Sequence, residues 1–360
     1  MTTTESPVAN SYSLRKPILL LVSTGILLAG TNDLRAQPSS IRYGEKVSSE
    51  VKIVYQRGLD YLVKNQHQDG SWGGAQENGV TSLCLLAFLA SGSDPNFGPY
   101  SPQIHRAIRR IIRSQNASTG YIPSSMYHHG FGMLALSEAY GGVDESILWN
   151  DSTPGGTPRS IGKALELAVR CAITSQKKNN AGGWRYSPGD NSADTSVSGA
   201  VLMGLLAARN AGIEVPDNVI DRAISYYRSC TSAESGMVAY TGGIGGFGES
   251  MNRSSVATLV YAVAKRKDLK EYEATLQHIT TRLEHQEGSY PFYFRYYMAQ
   301  ALFQGDFEAW TKWKRENGQF LREIQQDDGS FAASHGPAYG TAMALLSLAL
   351  DFRFLPIYER

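Results

Sequence analysis

Two carboxylates in the stretch GDNSADTSVSGAV (189–201), Asp190 and Asp194, are the first residues in this chain whose type and placement could do chemistry. Asp194 and Thr195 stand where an apolar run begins. A carboxylate at such a position accepts from the free N–H groups of a helix start; held protonated, it would be a proton donor. Paired carboxyls share protons and tune one another's acidity, and Asp190 can supply the second only if the short loop between them bends. Glu249 is a more distant partner for the same role. Tyr127, His128 and His129 open another apolar run and supply the base and charge-stabilising types that a polysaccharide lyase needs. Tyr339 occupies the matching place in the last such run. His128, His129, His285 and His335 show no zinc-site spacing, so neither a metal nor a cofactor is expected. Gly243-Ile-Gly245-Gly-Phe-Gly248 matches the dinucleotide fingerprint in letters but lacks the strand–turn–helix–strand context that gives the fingerprint its meaning.

The elements that must position these residues repeat. Residues 66–72 read QHQDGSW and 326–331 read QDDGSF, with weaker copies at Gln115–Tyr121, Gln176–Trp184 and Gln286–Tyr290. A further copy without the Gln runs to Gly245-Gly-Phe247. Each copy follows one helical pattern and precedes another. The first helix of a pair is amphipathic: Ile104, Ile108, Ile111 and Ile112 make one stripe and Arg106, Arg109, Arg110 and Arg113 the other, which predicts one wet face. The second is apolar nearly all round, as in SLCLLAFLA and AMALLSLAL, which predicts burial on every side. Six such hairpins predict an all-α fold, an α/α toroid with concentric outer and inner helix rings, closed so that no terminal caps are needed. Within each loop the Gln ties down orphan carbonyls at a helix end, the Gly permits a left-handed turn and the aromatic ring fills the wedge between neighbouring units. The inner helices are expected to begin near Thr81, His129-Gly130, Asp194-Thr195, Ser250-Met251, Phe292–Tyr296 and Tyr339–Thr341, lining one end of a central cavity.

Composition bounds the function. The chain has 360 residues, 34 Lys+Arg against 33 Asp+Glu and a formal net charge of +1. That balance excludes the basic surplus a nucleic-acid partner would require. Arg15-Lys16 precede the apolar run PILLLVSTGILLAG, and Leu34-Arg35-Ala36 makes a passable cleavage site. This is the pattern of an export signal, too short for an ordinary membrane span; the alternative is an uncleaved N-terminal anchor. Residues 1–36 are therefore expected to be an export signal, 37–50 a linker, 51–352 the toroid and 353–360 a C-terminal tail. In an exported protein Cys84 and Cys171, each in an apolar helical stretch, are expected as buried thiols; one disulfide among Cys84, Cys171 and Cys230 stays open, with no pairing assigned.

These loops resemble the QW repeats of squalene–hopene and oxidosqualene cyclases and, more loosely, those of protein prenyltransferase β subunits, over about Val51 to Leu350. GGWRYSPGDNSADTSVSGAVLMGLLAARNAG (182–212) and YYMAQALFQGDFEAWTKW (296–313) are similar to a group of exported bacterial prenyltransferase/squalene-oxidase-repeat proteins. The resemblance implies an isoprenoid or other apolar ligand in an aromatic-lined cavity. The cyclases protonate an alkene from D-x-D-D-T; here only Asp194 and Thr195 match, with Ala193 at the proton-donating position and Asn191 at the first. Neither the D-x-C of the prenyltransferase zinc site nor the G-C-G-E-Q of thioester toroids occurs. The resemblance thus implies binding or transforming an isoprenoid, and with the acid set reduced binding without catalysis is the favoured expectation, with Tyr127, His128, His129, Thr195 and Tyr339 lining the cavity. A non-catalytic scaffold and, behind it, a polysaccharide lyase are the alternatives. The sequence identifies no protein partner.

Overall fold

The computed structural model describes residues 47–73, 77–149, 159–242, 249–352 and 355–358. The expected export signal, most of the linker and the Gly243–Gly248 segment lie outside them. Among the described residues there are no strands, and no helix is long and apolar enough to cross a membrane.

The helices pair as the patterning predicts. The outer and inner members of the six hairpins are α1 (Ser49–Lys64) and α2 (Asn78–Leu89); α3 (Ser101–Ser114) and α4 (Met126–Ala139); then, after a short α5 (Glu145–Leu148), α6 (Ile161–Lys177) and α7 (Thr195–Asn210). They continue with α8 (Asp217–Cys230) and α9 (Met251–Val263), α10 (Lys270–Thr280) and α11 (Pro291–Gly305), and α12 (Phe307–Ile324) and α13 (Pro337–Leu348). Starts are set locally. Ser48 Oγ accepts from Val51 N at 3.2 Å, Ser160 Oγ from Lys163 N at 3.0 Å and Asp306 Oδ1 from Ala309 N at 2.9 Å, each satisfying an orphan donor. In α3 the isoleucine stripe is buried, while on the arginine side Arg106, Arg109 and Arg110 are half-buried and Arg113 is exposed. In α2, α7 and α13 nearly every residue is buried.

The inner helices form a closed ring: α2 packs on α4, α4 on α7, α7 on α9, α9 on α11, α11 on α13 and α13 back on α2. Helix α4 lies so close to α7 that a Cβ at Gly130 would fall 2.5 Å from the carbonyl carbon of Ala200. Outside, α1 meets α12 and joins the first hairpin to the last. Of the segment expected as a C-terminal tail, the described residues 355–358 include Leu355 and Ile357, both buried. Cys84, Cys171 and Cys230 are all buried free thiols.

The loops repeat in contacts as in letters. Gln66 Nε2 donates to Gly70 O and Gln103 O, Gln115 Nε2 to Gly120 O and Ala164 O, Gln176 Nε2 to Gly182 O and Val219 O, and Gln325 Nε2 to Gly329 O and Val54 O. Each amide thus bonds its own loop and the next outer helix. Gly70, Gly120, Gly182, Gly236 and Gly329 hold positive φ and sit against a carbonyl of that next helix, where a Cβ would collide; only glycine meets both conditions. Trp72, Trp184 and Phe331 are fully buried beside them.

Candidate functional site

Asp194 caps α7. Its Oδ1 accepts from Val197 N at 2.8 Å, and the buried carboxylate also has the Ser196 N–H and the Tyr240 hydroxyl beside it. Burial pushes its carboxyl above the ordinary Asp value, opposed by the Val197 N–H and by the Arg185 guanidinium. Tyr240 stands nearby, its hydroxyl 2.7 Å from that of Tyr186, and Arg185 lies over both rings.

The expected second carboxyl does not arrive. Asp190 Oδ2 accepts from Ser187 N at 2.7 Å and closes a local turn, so the loop does not bend it toward Asp194. Glu249, the distant alternative, pairs with Arg282 at 3.4 Å on the surface. Thr195 is not a cavity residue: it is fully buried, with Oγ1 donating to Ala239 O at 3.0 Å and its own carbonyl accepting from Tyr227 Oη. Its side chain ties α7 to the loop of the fourth hairpin.

The Tyr-His-His run divides three ways, because successive residues on a helix point about 100° apart. His129 is fully buried behind the ring; Nδ1 accepts from Ile122 N and Nε2 donates to Ala168 O, both at 3.0 Å. Burial pulls its pKa down to about 4, so it is neutral at pH 7. His128 packs on Gly79 of α2. Tyr127 alone faces the ring axis, and burial raises its hydroxyl well above the ordinary tyrosine value, the wrong direction for a base. The cavity-lining expectation therefore fails for His129 and Thr195, and no lyase-type base set assembles.

The axis itself is crowded with rings. Tyr127 lies 5.3 Å from Phe131 on its own helix and 6.2 Å from Tyr293 on α11, directly across the inner ring; Phe131 lies 6.4 Å from Tyr296. Tyr297 packs on Tyr293 at 4.6 Å and on Tyr296 at 4.8 Å. Tyr293 Oη is buried here among the hydroxyls of Tyr127, Tyr297 and Ser196. The signal for this plug was the run FYFRYY (292–297), whose period cannot tell an outward tyrosine from an axial one. At the end where the inner helices begin there is a pocket of about 410 Å³ beside Tyr290, Pro291, Phe292, Ala333 and Tyr339. Of the expected residues Tyr339 lines it. Sequence reasoning missed Tyr290, which stands immediately before α11, and Ala333, which lies in the loop before α13.

Comparison with known proteins agrees with this architecture. No family model and no curated protein matches the chain, but solved structures do. A variant of the α-1,6-mannanase GH76A of Salegentibacter sp. HEL1_6, in complex with α-1,6-mannotriose, has a TM-score of 0.59 at 10% identity, over 84% of this chain and 99% of that one. A variant of the type II terpene cyclase MstE from Scytonema, in complex with its substrate geranylgeranyl dihydroxybenzoate, has a TM-score of 0.56 at 15% identity, over 85% and 98%. At such identities the likeness is one of fold: the chain is an α/α toroid.

Proposed function

We propose that this protein is an exported toroid that binds an isoprenoid or comparable apolar ligand at the end of the inner ring where the inner helices begin, and does not cyclise it. The observation that carries the reading is the state of the axis. Rings from α4 and α11 meet across it, so the interior offers aromatic surface but little space in which a long polyene could fold. Asp194 supports the same reading, as a single carboxyl engaged in capping α7 with no second acid beside it. The toroid carries both a saccharide-bound mannanase and a terpene cyclase bound to a geranylgeranyl substrate, so side chains rather than fold favour the apolar class.

The test is fractionation of the producing cell, followed by native mass spectrometry and lipid extraction of the protein purified from the exported fraction. A co-purifying polyisoprenoid, retained in Asp194→Asn, is the expected result. An empty protein that carries one stoichiometric protein partner would overturn the ligand reading and favour the scaffold.

A further inference from the structure

The fifth loop breaks the glycine docking that the other five keep. Gly288 stands where the other loops place a left-handed glycine against the next outer helix, yet a Cβ there would meet nothing within 4 Å. Among the described residues Gln286 reaches no carbonyl of α12. Its Oε1 instead accepts at 2.9 Å from Arg295 Nη2, a guanidinium that α11 sends outward over Phe320. Arg295 Nη1 continues to Asn317 Oδ1 of α12 at 2.9 Å. The seam is therefore held deeper down, by an arginine, and its top is undocked. The aromatic residue follows the same departure. Tyr290 is 52% exposed where Trp72, Trp184 and Phe331 are fully buried, and it takes φ +59, a conformation disfavoured for a side chain of its size. Its ring stacks on His335 of the sixth loop at 5.6 Å and 7°. The 410 Å³ pocket opens between these two loops.

Resting on the ligand reading above, we propose that the ligand enters radially, its apolar chain end lodging in this notch between the fifth and sixth hairpins rather than along the ring axis. The lining side chains favour one class. Pro291, Phe292, Ala332 and Ala333 are apolar, Tyr290 and Tyr339 present rings, and Ser289 and Ser334 are the other polar side chains; no charged or amide group lines the space. A saccharide lodged there would find few side-chain partners for its hydroxyls, whereas an alkyl or isoprenyl chain gains from every apolar contact.

The experiment measures farnesol binding to the full chain by isothermal titration. Ser334→Trp and Ala332→Trp, at exposed positions on the rim, should fill the notch and weaken binding at least tenfold, whereas Ala117→Trp in the docked second loop should leave it unchanged. Wild-type binding that both notch variants retain would overturn the notch and leave the ligand reading standing. Absence of farnesol binding by wild type would overturn both. Binding of α-1,6-mannotriose that Ser334→Trp abolishes would overturn the apolar assignment.

Discussion

At Asp194 a capping bond and the cost of burying a carboxylate act on one side chain. The bond to Val197 N favours the ionised form, and desolvation favours the neutral one and wins. Asparagine caps as well as aspartate and carries no charge to desolvate. Asp194→Asn is therefore expected to keep or raise stability at pH 7, and Asp194→Ala to lower it by about 1 kcal/mol, read from urea midpoints; a marked loss in the asparagine variant would point to a partner for the ionised carboxylate. His129 adds a pH dependence of definite sign. Its pKa falls from 6.5 to about 4 on folding, so its contribution is fully present above pH 6.5 and is lost as pH falls toward 4, by about 3 kcal/mol in all. His278, also lowered by burial, acts in the same direction. Between pH 7 and 5 this loss opposes the gain from buried carboxyls whose pKa is raised, so His129→Gln should raise the midpoint at pH 5 relative to that at pH 7 when compared with wild type; an unchanged pH slope would remove His129 as a contributor. Neither Thr195 nor His129 could be read correctly from sequence. Their types and positions at helix starts suggest a site, but whether such a side chain meets the axis or the outer layer depends on a rotation that only the packed neighbours fix.

Hairpins are where the sequence was most legible. Outer and inner helices declared themselves through one-sided and all-round apolar patterns, and the Gln-Gly-aromatic letters marked the turns. What letters did not reveal was the docking partner, because each Gln bonds a carbonyl in the following outer helix, and backbone carbonyls leave no mark in a sequence. The fifth copy, QEGSY, carries its Gln two residues before the glycine, where the docked loops carry it four to six before, and it differs from them in contact as well. The strut model has a direct test in Gln176→Leu. Leucine fills the space but strands Gly182 O and Val219 O, both now served by Nε2 at 2.6 and 2.9 Å. Losing two buried partners should cost about 2–4 kcal/mol, seen as a lower denaturant midpoint with the helical circular dichroism of the native state intact. A loss below about 0.5 kcal/mol would mean that water or a neighbouring group serves those carbonyls equally well.

Closure makes the whole molecule depend on its chain ends. Gln325 reaches Val54 O at 3.0 Å, Arg57 reaches Gln326 O at 2.7 Å, and Tyr55 packs edge-on against Phe352 at 4.8 Å. The last described residues then cover the end of the ring where the inner helices finish. There the Ile357 N–H bonds the carboxyl of Glu138 on α4, whose Oε2 is otherwise buried without a partner. Burial raises this carboxyl from 4.5 to about 8, with the Ile357 bond opposing the rise. The raised value fixes a sign opposite to that of His129. The neutral acid suits the fold, so its contribution is fully present below pH 4.5 and declines as pH rises through 8. Glu138→Gln keeps an acceptor for the Ile357 N–H and removes the ionisation. It is therefore expected to stabilise the protein at pH 8–9 by several kcal/mol, on the order of 1.4 kcal/mol for each unit of the shift, and to have little effect at pH 4. Ending the chain after Asp351 removes Phe352, Leu355 and Ile357 and admits water to Glu138. It should lower stability by about 3–6 kcal/mol through the lost apolar burial and return the Glu138 titration, followed by NMR, toward the ordinary carboxylate range. A truncated protein with an unchanged midpoint would mean that the ring closes without its last turn, leaving the seam between the first and sixth hairpins to hold the circle alone.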